Sequence, residues 1–364
     1  MSEIQRVVMP KWGLSMSQGK ITEWLVAEGD SVRDGMDLAE IETDKIAGTL
    51  ESTQDGVLRA IVAEAGQDVP VSGTIAIVAP AEVGAEEIDA AVTEAREQLA
   101  SGEVAEETGP RIDTVEVGGR KIAAAVLGDA PEPVVLVHGY GGDKNSWLFV
   151  QEPLSARATV HAIDLPGHGE SVKDVGDAGL STLADVVLGY LDARGIGSAH
   201  VVGHSLGGAV AAQLAATAGQ RVSSLTLVAP AGFTAGIDAE FLRSFAAANS
   251  RRELKPQVAK LFADPEQVTR RLVDDLLKYK RLDGVTAALE ALQATLLDGD
   301  SQAIDTAGLL ASVQAPVTVL WGRDDAILPV PQQDSVRVVD AAGHMLHMEN
   351  PGEVRDAVLA HLPG

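Results

Sequence analysis

The feature that most restricts the fold is a pattern that occurs twice. Residues 19–32, GKITEWLVAEGDSV, return at residues 56–69 as GVLRAIVAEAGQDV, displaced by 37 positions. Each copy runs on through a turn into a hydrophobic strand, LAEIE after the first and IAIVA after the second. Short β-type runs broken by Gly, Asp and Pro fill all of residues 1–80. Duplication of such a pattern predicts two similar sheets packed face to face about an approximate twofold axis. The midpoint of the duplication falls at Glu42-Thr43-Asp44-Lys45-Ile46. Lys45 is therefore expected on a tight turn at one end of the sandwich, projecting into solvent.

Beyond residue 80 the texture changes. Residues 81–110 carry nine acids and one base, Arg96. An acidic, Ala-rich stretch of this kind reads as a solvated linker. Within it Ile88, Val92, Ala95 and Leu99 recur at helical spacing, which predicts a marginal helix. As coil, such a linker would span about 30 Å on average and at most about 100 Å.

Residues 111–364 alternate apolar β runs with amphipathic helical patterns, the signature of a mainly parallel α/β sheet. TVEVGGRKIAAAV at 114–126 reads as a hairpin turning at Gly118-Gly119. Later runs, EPVVLVHG, ATVHAID, AHVVGHS, SSLTLVAP, APVTVLWG and SVRVVDAAGH, are mostly continuous and apolar, as expected for strands covered on both faces. Residues 231–312 interrupt them with helical patterns only. The stretch 241–281 holds ten Lys or Arg against five Asp or Glu, in a chain of net charge −25. It reads either as an ordinary solvated helix face or as a phosphate-facing rim built from Arg251, Arg252, Lys255, Arg270 and Arg271.

Chemistry concentrates in this third zone. Gly203-His204-Ser205-Leu206-Gly207 has the form G-x-S-x-G, follows a strand and precedes a helical run. That context is a nucleophile elbow, whose glycines permit a strained turn that lifts the serine hydroxyl above the sheet. The serine needs a base, and the base an orienting carboxylate, in chain order Ser, Asp, His. Asp324 or Asp325 supplies the acid and His344 the base, with His347 a neighbouring decoy. The backbone N–H of Leu206 is one oxyanion donor. His138 and His204 read as loop-packing residues.

Composition excludes other classes. Hydrophobic residues at 46% and charged residues at 22% argue against wholesale disorder. Cysteine is absent, so there is no disulfide, thiolate metal cluster or cysteine nucleophile. The acidic balance and 3% aromatics argue against nucleic-acid binding. The start, MSEIQRVVMPKWG, lacks the pattern of a signal peptide. No stretch approaches the roughly 20 apolar residues of a membrane span, so the expected location is cytoplasmic, without a membrane partner.

Known families match these motifs. MPKWGLSM, VAEGDSV and ETDKI make residues 1–80 resemble the lipoyl domain of 2-oxoacid dehydrogenase complexes, rather than the biotinyl relative with its methionine-flanked lysine. That resemblance implies lipoate in amide linkage on Lys45. Residues 111–364 resemble the α/β-hydrolase family through HG-Y-GG, DLPGHGxS, GHSLGG, GxDDxxxP and GH. The family's W-G-x-x-D spacing assigns the acid to Asp325 with Asp324 as fallback, the histidine to His344, the second oxyanion N–H to Tyr140, and a helical lid to about 231–312. The implied fold is multidomain: a small all-β lipoyl sandwich (1–80), an acidic, partly helical linker (81–110) and an α/β-hydrolase domain (111–364).

The fusion resembles acetyltransferase (E2) components of bacterial acetoin dehydrogenase complexes, including the lid run LKPQVAKLFADP. It lacks the H-x-x-x-D-G segment of ordinary E2 chains and a clear small helical binding domain. The resemblance implies transfer of an acetyl group from dihydrolipoyl-Lys45 to coenzyme A. It also implies a thiamine-diphosphate-dependent E1, an FAD-dependent dihydrolipoamide dehydrogenase (E3) and a lipoate ligase as partners. Two alternatives stay open: a serine thioesterase or esterase carrying a lipoyl domain, and a lipoyl carrier scaffold whose triad is idle.

Overall fold

The computed structural model describes residues 4–10, 16, 18–43, 47–101 and 109–363, with the side chain of Arg271 excepted. Eight short strands open the chain: β1 (Gln5–Val8), β2 (Gln18–Trp24), β3 (Ser31–Val32), β4 (Asp37–Glu42), β5 (Ala47–Glu51), β6 (Gly56–Ile61), β7 (Asp68–Pro70) and β8 (Thr74–Ala79). They form two four-stranded antiparallel sheets, ordered β1-β8-β6-β3 and β5-β4-β2-β7. A shift of 37 residues carries β2 onto β6, β3 onto β7 and β4 onto β8, so the two orders are the same arrangement written twice. The short strands exchange: β3 pairs with β6 and β7 with β2, so each half completes the other's sheet. Ile21, Leu38, Ile41, Leu58, Ile75 and Ile77 are fully buried in the core. Lys45, Asp44 and Ile46 lie outside the described residues; β4 and β5 flank them and pair as far as Glu42 with Ala47.

The acidic segment departs from the linker reading. Helix α1 (Ala85–Ser101) is long and packed, not marginal. Its Ile88 and Ala95 are buried with Ala60, Ile77 and Ala79 of the first sheet and with Val62 just after β6, and Val92 and Leu99 join them. Arg6 donates to Glu94 at 2.6 Å and to Gln98 at 3.1 Å, tying the helix to β1. Isolated helices of this length are marginal in water, and burial of one face is what holds them. The signal was present in the strands. β4 (DLAEIE) carries three acids, whereas its counterpart β8 (TIAIVA) is apolar after Thr74 and buried throughout. A strand buried on both faces needs a second layer.

Met1–Gly109 and Pro110–Gly364 form separate compact units. In the second, β9 (Arg111–Val117) and β10 (Arg120–Leu127) make the expected hairpin. There follow β11 (Pro133–Val137), α2 (Leu148–Ser155), β12 (Thr159–Ile163), α3 (Leu180–Ala193), β13 (Ala199–His204), α4 (Leu206–Thr217) and β14 (Val222–Val228). Helices α5 (Ala239–Ala247), α6 (Arg251–Ala259), α7 (Arg270–Lys280) and α8 (Val285–Leu296) come next. The inserted region is not purely helical. A two-strand hairpin, β15 (Leu297–Asp298) and β16 (Ser301–Gln302), turns at Gly299, whose φ is +62°, before α9 (Thr306–Leu310). An Asp-Gly pair favours such a turn over a continued helix.

The chain ends with β17 (Val317–Gly322), β18 (Val336–Val339), α10 (Leu346–Glu349) and α11 (Pro351–Leu359). The eight-stranded sheet runs β18-β17-β14-β13-β11-β12-β10-β9. From β12 to β18 all neighbours are parallel, and β10 and β9 extend it antiparallel. Strand order reverses between β11 and β13, the place where α/β sheets open a crevice at their carboxyl edge. No described helix is long and apolar enough to cross a membrane.

Candidate active site

Ser205 lies between β13 and α4 with φ 52° and ψ −117°, a conformation costly for a residue with a side chain. The surrounding glycines make the strain tolerable. A Cβ on Gly203 would overlap the carbonyl of Gly207, and one on Gly207 would overlap that of Val137. Strand, turn and helix therefore pack at backbone contact, and the Ser205 N–H is held by Val228 O at 3.0 Å.

The loops after β17 and β18 supply the other two groups. His344 Nδ1–H donates to Asp325 Oδ2 at 2.9 Å, with both side chains almost wholly buried. Asp325 Oδ1 accepts from the N–H groups of Ile327 and Leu328 at 2.8 and 2.9 Å, which fixes the carboxylate. With Nδ1 so engaged, His344 keeps Nε2 as its basic nitrogen. Asp324, the fallback, points to solvent. His347, the decoy, is fully buried between Trp147 and His204, and among the described residues neither ring nitrogen has a hydrogen-bond partner. Burial pushes its imidazole down to about 3, so it stays neutral.

His204 packs as expected, and its Nε2–H also donates to the carbonyl of His344 at 2.9 Å. The residue before Ser205 thus grips the loop that bears His344. Glu349, which sequence reasoning missed, does similar work. Its carboxylate accepts from Gly343 N and Ala263 N, both at 2.7 Å, and burial holds its pKa above the usual carboxylate range. The only sequence hint was an acid five positions after the histidine.

Two N–H groups, those of Leu206 and Tyr140, are the expected oxyanion donors. Leu206 N belongs to the first turn of α4, where N–H groups lack intrahelical acceptors and the helix dipole is positive. Tyr140 N follows β11. Among the described residues neither N–H meets a protein acceptor. The next residue, Gly141, donates to His168 Nε2 at 3.1 Å, and His168 Nδ1–H donates to Pro166 O at 3.0 Å. Burial holds His168 near 3, so its Nε2 is a dependable acceptor. His138 is fixed likewise between Gly139 O and Leu165 N.

The basic stretch resolves into paired and unpaired charges. Arg251 makes a bidentate contact with Asp274, Lys260 binds Asp238 and Lys278 binds Asp275. Arg270 stands 4.0 Å from Asp274. Arg252 and Lys255 are exposed on α6, and no hydrogen bond or ion pair engages either among the described residues.

Two family models match the chain: Biotin-requiring enzyme over residues 5–78 and alpha/beta hydrolase fold over residues 132–351. Two curated relatives match nearly end to end. The dihydrolipoyllysine-residue acetyltransferase component of the acetoin cleaving system of Pseudomonas putida is 44% identical, covering 100% of this chain and 99% of its own. Its counterpart from Cupriavidus necator is 43% identical over 98% and 97%. Among solved structures, a membrane phospholipase A superposes with TM-score 0.60 at 26% identity, covering 70% of this chain and 86% of its own. A meta-cleavage product hydrolase from Pseudomonas fluorescens superposes with TM-score 0.61 at 20% identity, over 68% and 96%, a likeness of fold alone.

Proposed function

The chain belongs to the family of dihydrolipoyllysine-residue acetyltransferase components of acetoin-cleaving systems, and we propose that Ser205, His344 and Asp325 carry its acyl transfer. It is an acyltransferase with a lipoyl domain and coenzyme A as acceptor, and as an E2 it works with E1 and E3 subunits. The observation that carries the serine reading is the hydrogen-bonded Asp325–His344 pair at the same sheet edge as the strained Ser205.

Lys45 is the residue for lipoate. In support, strands β4 and β5, which precede and follow residues 43–46 in the chain, pair as far as Glu42 with Ala47. A carrier group needs a rigid support of this kind to be presented to other sites. When attached, the group supplies a dithiol that bears the acetyl unit as a thioester.

His344 Nε2 takes the proton of Ser205 Oγ as the serine oxygen bonds to the thioester carbonyl carbon. Asp325 stabilises the resulting imidazolium, and Leu206 N and Tyr140 N receive the oxyanion. His344 returns the proton to the departing sulfur as the carbon–sulfur bond breaks. In the second half, His344 deprotonates the coenzyme A thiol, whose pKa of about 8.5 makes it a capable nucleophile. The new thioester forms and the proton goes back to Ser205. Helices α5–α8 serve as the lid that keeps water from the acyl-serine.

Partners and location follow as proposals: an E1 using thiamine diphosphate, an FAD-dependent dihydrolipoamide dehydrogenase as E3, a lipoate ligase acting on Lys45, and the cytoplasm. The test supplies acetyl-dihydrolipoamide with and without coenzyme A. Acetyl-coenzyme A formation that ceases in Ser205→Ala, with acetyl trapped on Ser205 after an acid quench, is the expected result. Acetate release at equal rate with and without coenzyme A makes the site a thioesterase. Transfer at wild-type rate in Ser205→Ala leaves the serine idle, with His344 free to activate coenzyme A directly.

A further inference from the structure

The loop that bears Tyr140 N is held from the lid as well as from the sheet. On the sheet side, Gly141 N donates to His168 Nε2. His168 follows Gly167, and the Gly167 carbonyl accepts from Tyr279 Oη at 2.6 Å, across from α7. On the lid side, the ring of Phe245 on α5 lies against Gly141. A Cβ built there would come within 2.7 Å of Phe245 Cζ, and the φ of +73° independently favours glycine. The carbonyls of Phe245 and Ala246 accept from Lys280 Nζ at 2.5 and 3.0 Å, and that nitrogen stands 4.9 Å from the Phe245 ring. Tyr140 itself donates its hydroxyl to Leu289 O of α8 at 3.0 Å. Two consecutive residues at the end of α7 therefore grip both flanks of one glycine.

We infer that Tyr279 and Lys280 are positioning residues that couple the lid to the oxyanion loop, so that Tyr140 N is aligned only while α7 is seated. Lys280 is 6% exposed, and a lysine is seldom buried to satisfy two carbonyls that a turn could leave to water. Its ammonium terminates α5 where Phe245 must not rotate off Gly141. Tyr279 fixes the backbone that presents His168. A lid that lifts takes both supports away, and the site loses a transition-state donor at the moment it admits water. For a transferase this ordering suppresses hydrolysis, because the wet state is also the unassembled one.

The inference rests on the serine reading above, and the experiment separates the two. The full-length lipoylated protein is acylated with p-nitrophenyl acetate, which needs neither coenzyme A nor the carrier, and is titrated with a trifluoromethyl ketone that forms a tetrahedral adduct on serine. Tyr279→Phe and Lys280→Met are expected to lower kcat about 10-fold, with KM changed less than about two-fold. The ketone should weaken by the same factor as kcat, since loss of a full donor costs about 100-fold or more. Lys280→Arg, which can reach both carbonyls, is expected to recover most of the rate. Should Lys280→Met fail to fold, Tyr279→Phe decides alone. Wild-type kcat and ketone affinity in Tyr279→Phe overturn the coupling, as does a kcat loss with ketone affinity intact. Ser205→Ala reacting at the wild-type rate overturns the serine reading instead.

Discussion

In the first unit, the segments on either side of residues 43–46 are two antiparallel strands paired as far as Glu42 with Ala47, in a sheet that the duplication builds twice. In the second unit, Ser205 stands at a positive φ on a turn closed by backbone contact, and its partners come from loops more than a hundred residues downstream. The first unit holds no histidine. All eight lie in the second, and five of them, His138, His168, His204, His344 and His347, pack in and around the candidate site. A carrier needs only to present one amine. A catalytic site must hold several groups in one geometry, and the proposed one combines strain, buried neutral imidazoles and polar groups deprived of water.

The largest way to break this comparison is chemical. Ser205→Ala should reduce coenzyme A-dependent transfer by at least about 1000-fold while intact mass shows Lys45 fully lipoylated. Lys45→Arg should do the reverse, leaving the chain unlipoylated yet able to transfer from free acetyl-dihydrolipoamide. Loss of both properties in either variant would mean that the units do not act separately.

Next is the elbow. Gly207→Ala puts a methyl onto the Val137 carbonyl and should cost about 3 kcal/mol or more, lowering only one of two calorimetric transitions. An equal shift in both would merge the units thermally.

Acid should separate them further. Burial holds His168 and His347 near 3 and His161 near 4, and lowers His138, His200 and His204. Each is depressed below its unfolded value of about 6.5, so the unfolded chain binds more protons as pH falls, and stability is lost from about pH 6.5 downward. Burial raises Asp143, Glu152 (to about 7) and Glu349, which work in the opposite direction. With six groups against three, the second unit should lose about 3 kcal/mol or more between pH 6.5 and 4.5. The first unit should show none of this histidine-driven loss. A second transition that holds its temperature across that range would contradict the buried-imidazole account.

Within the first unit, Ile88→Ala should destabilise by about 2 kcal/mol, since α1 is part of its core. No effect on the first transition would return residues 85–101 to the status of a tether. The smallest effect concerns the unpaired cations of α6. Neutralising Arg252 and Lys255 should raise KM for coenzyme A by about three-fold with kcat unchanged. An unchanged KM assigns them to ordinary solvated surface.

Much of the site was legible because its chemistry is local. G-x-S-x-G between a strand and a helix is one continuous stretch, and Gly203 is required by the Gly207 carbonyl four residues on, although Gly207 is required by the distant Val137. Other features were not legible because they depend on partners distant in the chain. Tyr279 and Lys280 acquire their roles only when α7 lies beside Gly167 and Phe245. Glu349 matters through a loop some eighty residues earlier. The helix in the acidic segment was visible from its spacing, but its docking was not, because a 3.6-residue stripe does not say what it meets.

Sequence by itself determined the doubled β sandwich, the alternating strands and helices, and the strand-to-helix turn that carries Ser205. Periodicity, glycine placement and strand-to-turn order are properties of neighbouring residues. Tertiary structure decided which of two adjacent aspartates meets His344, that α1 is a core element, and how the lid reaches the oxyanion loop. Those outcomes turn on hydrogen-bond directions and on surfaces shed from water, and both exist only once distant segments of the chain are brought together.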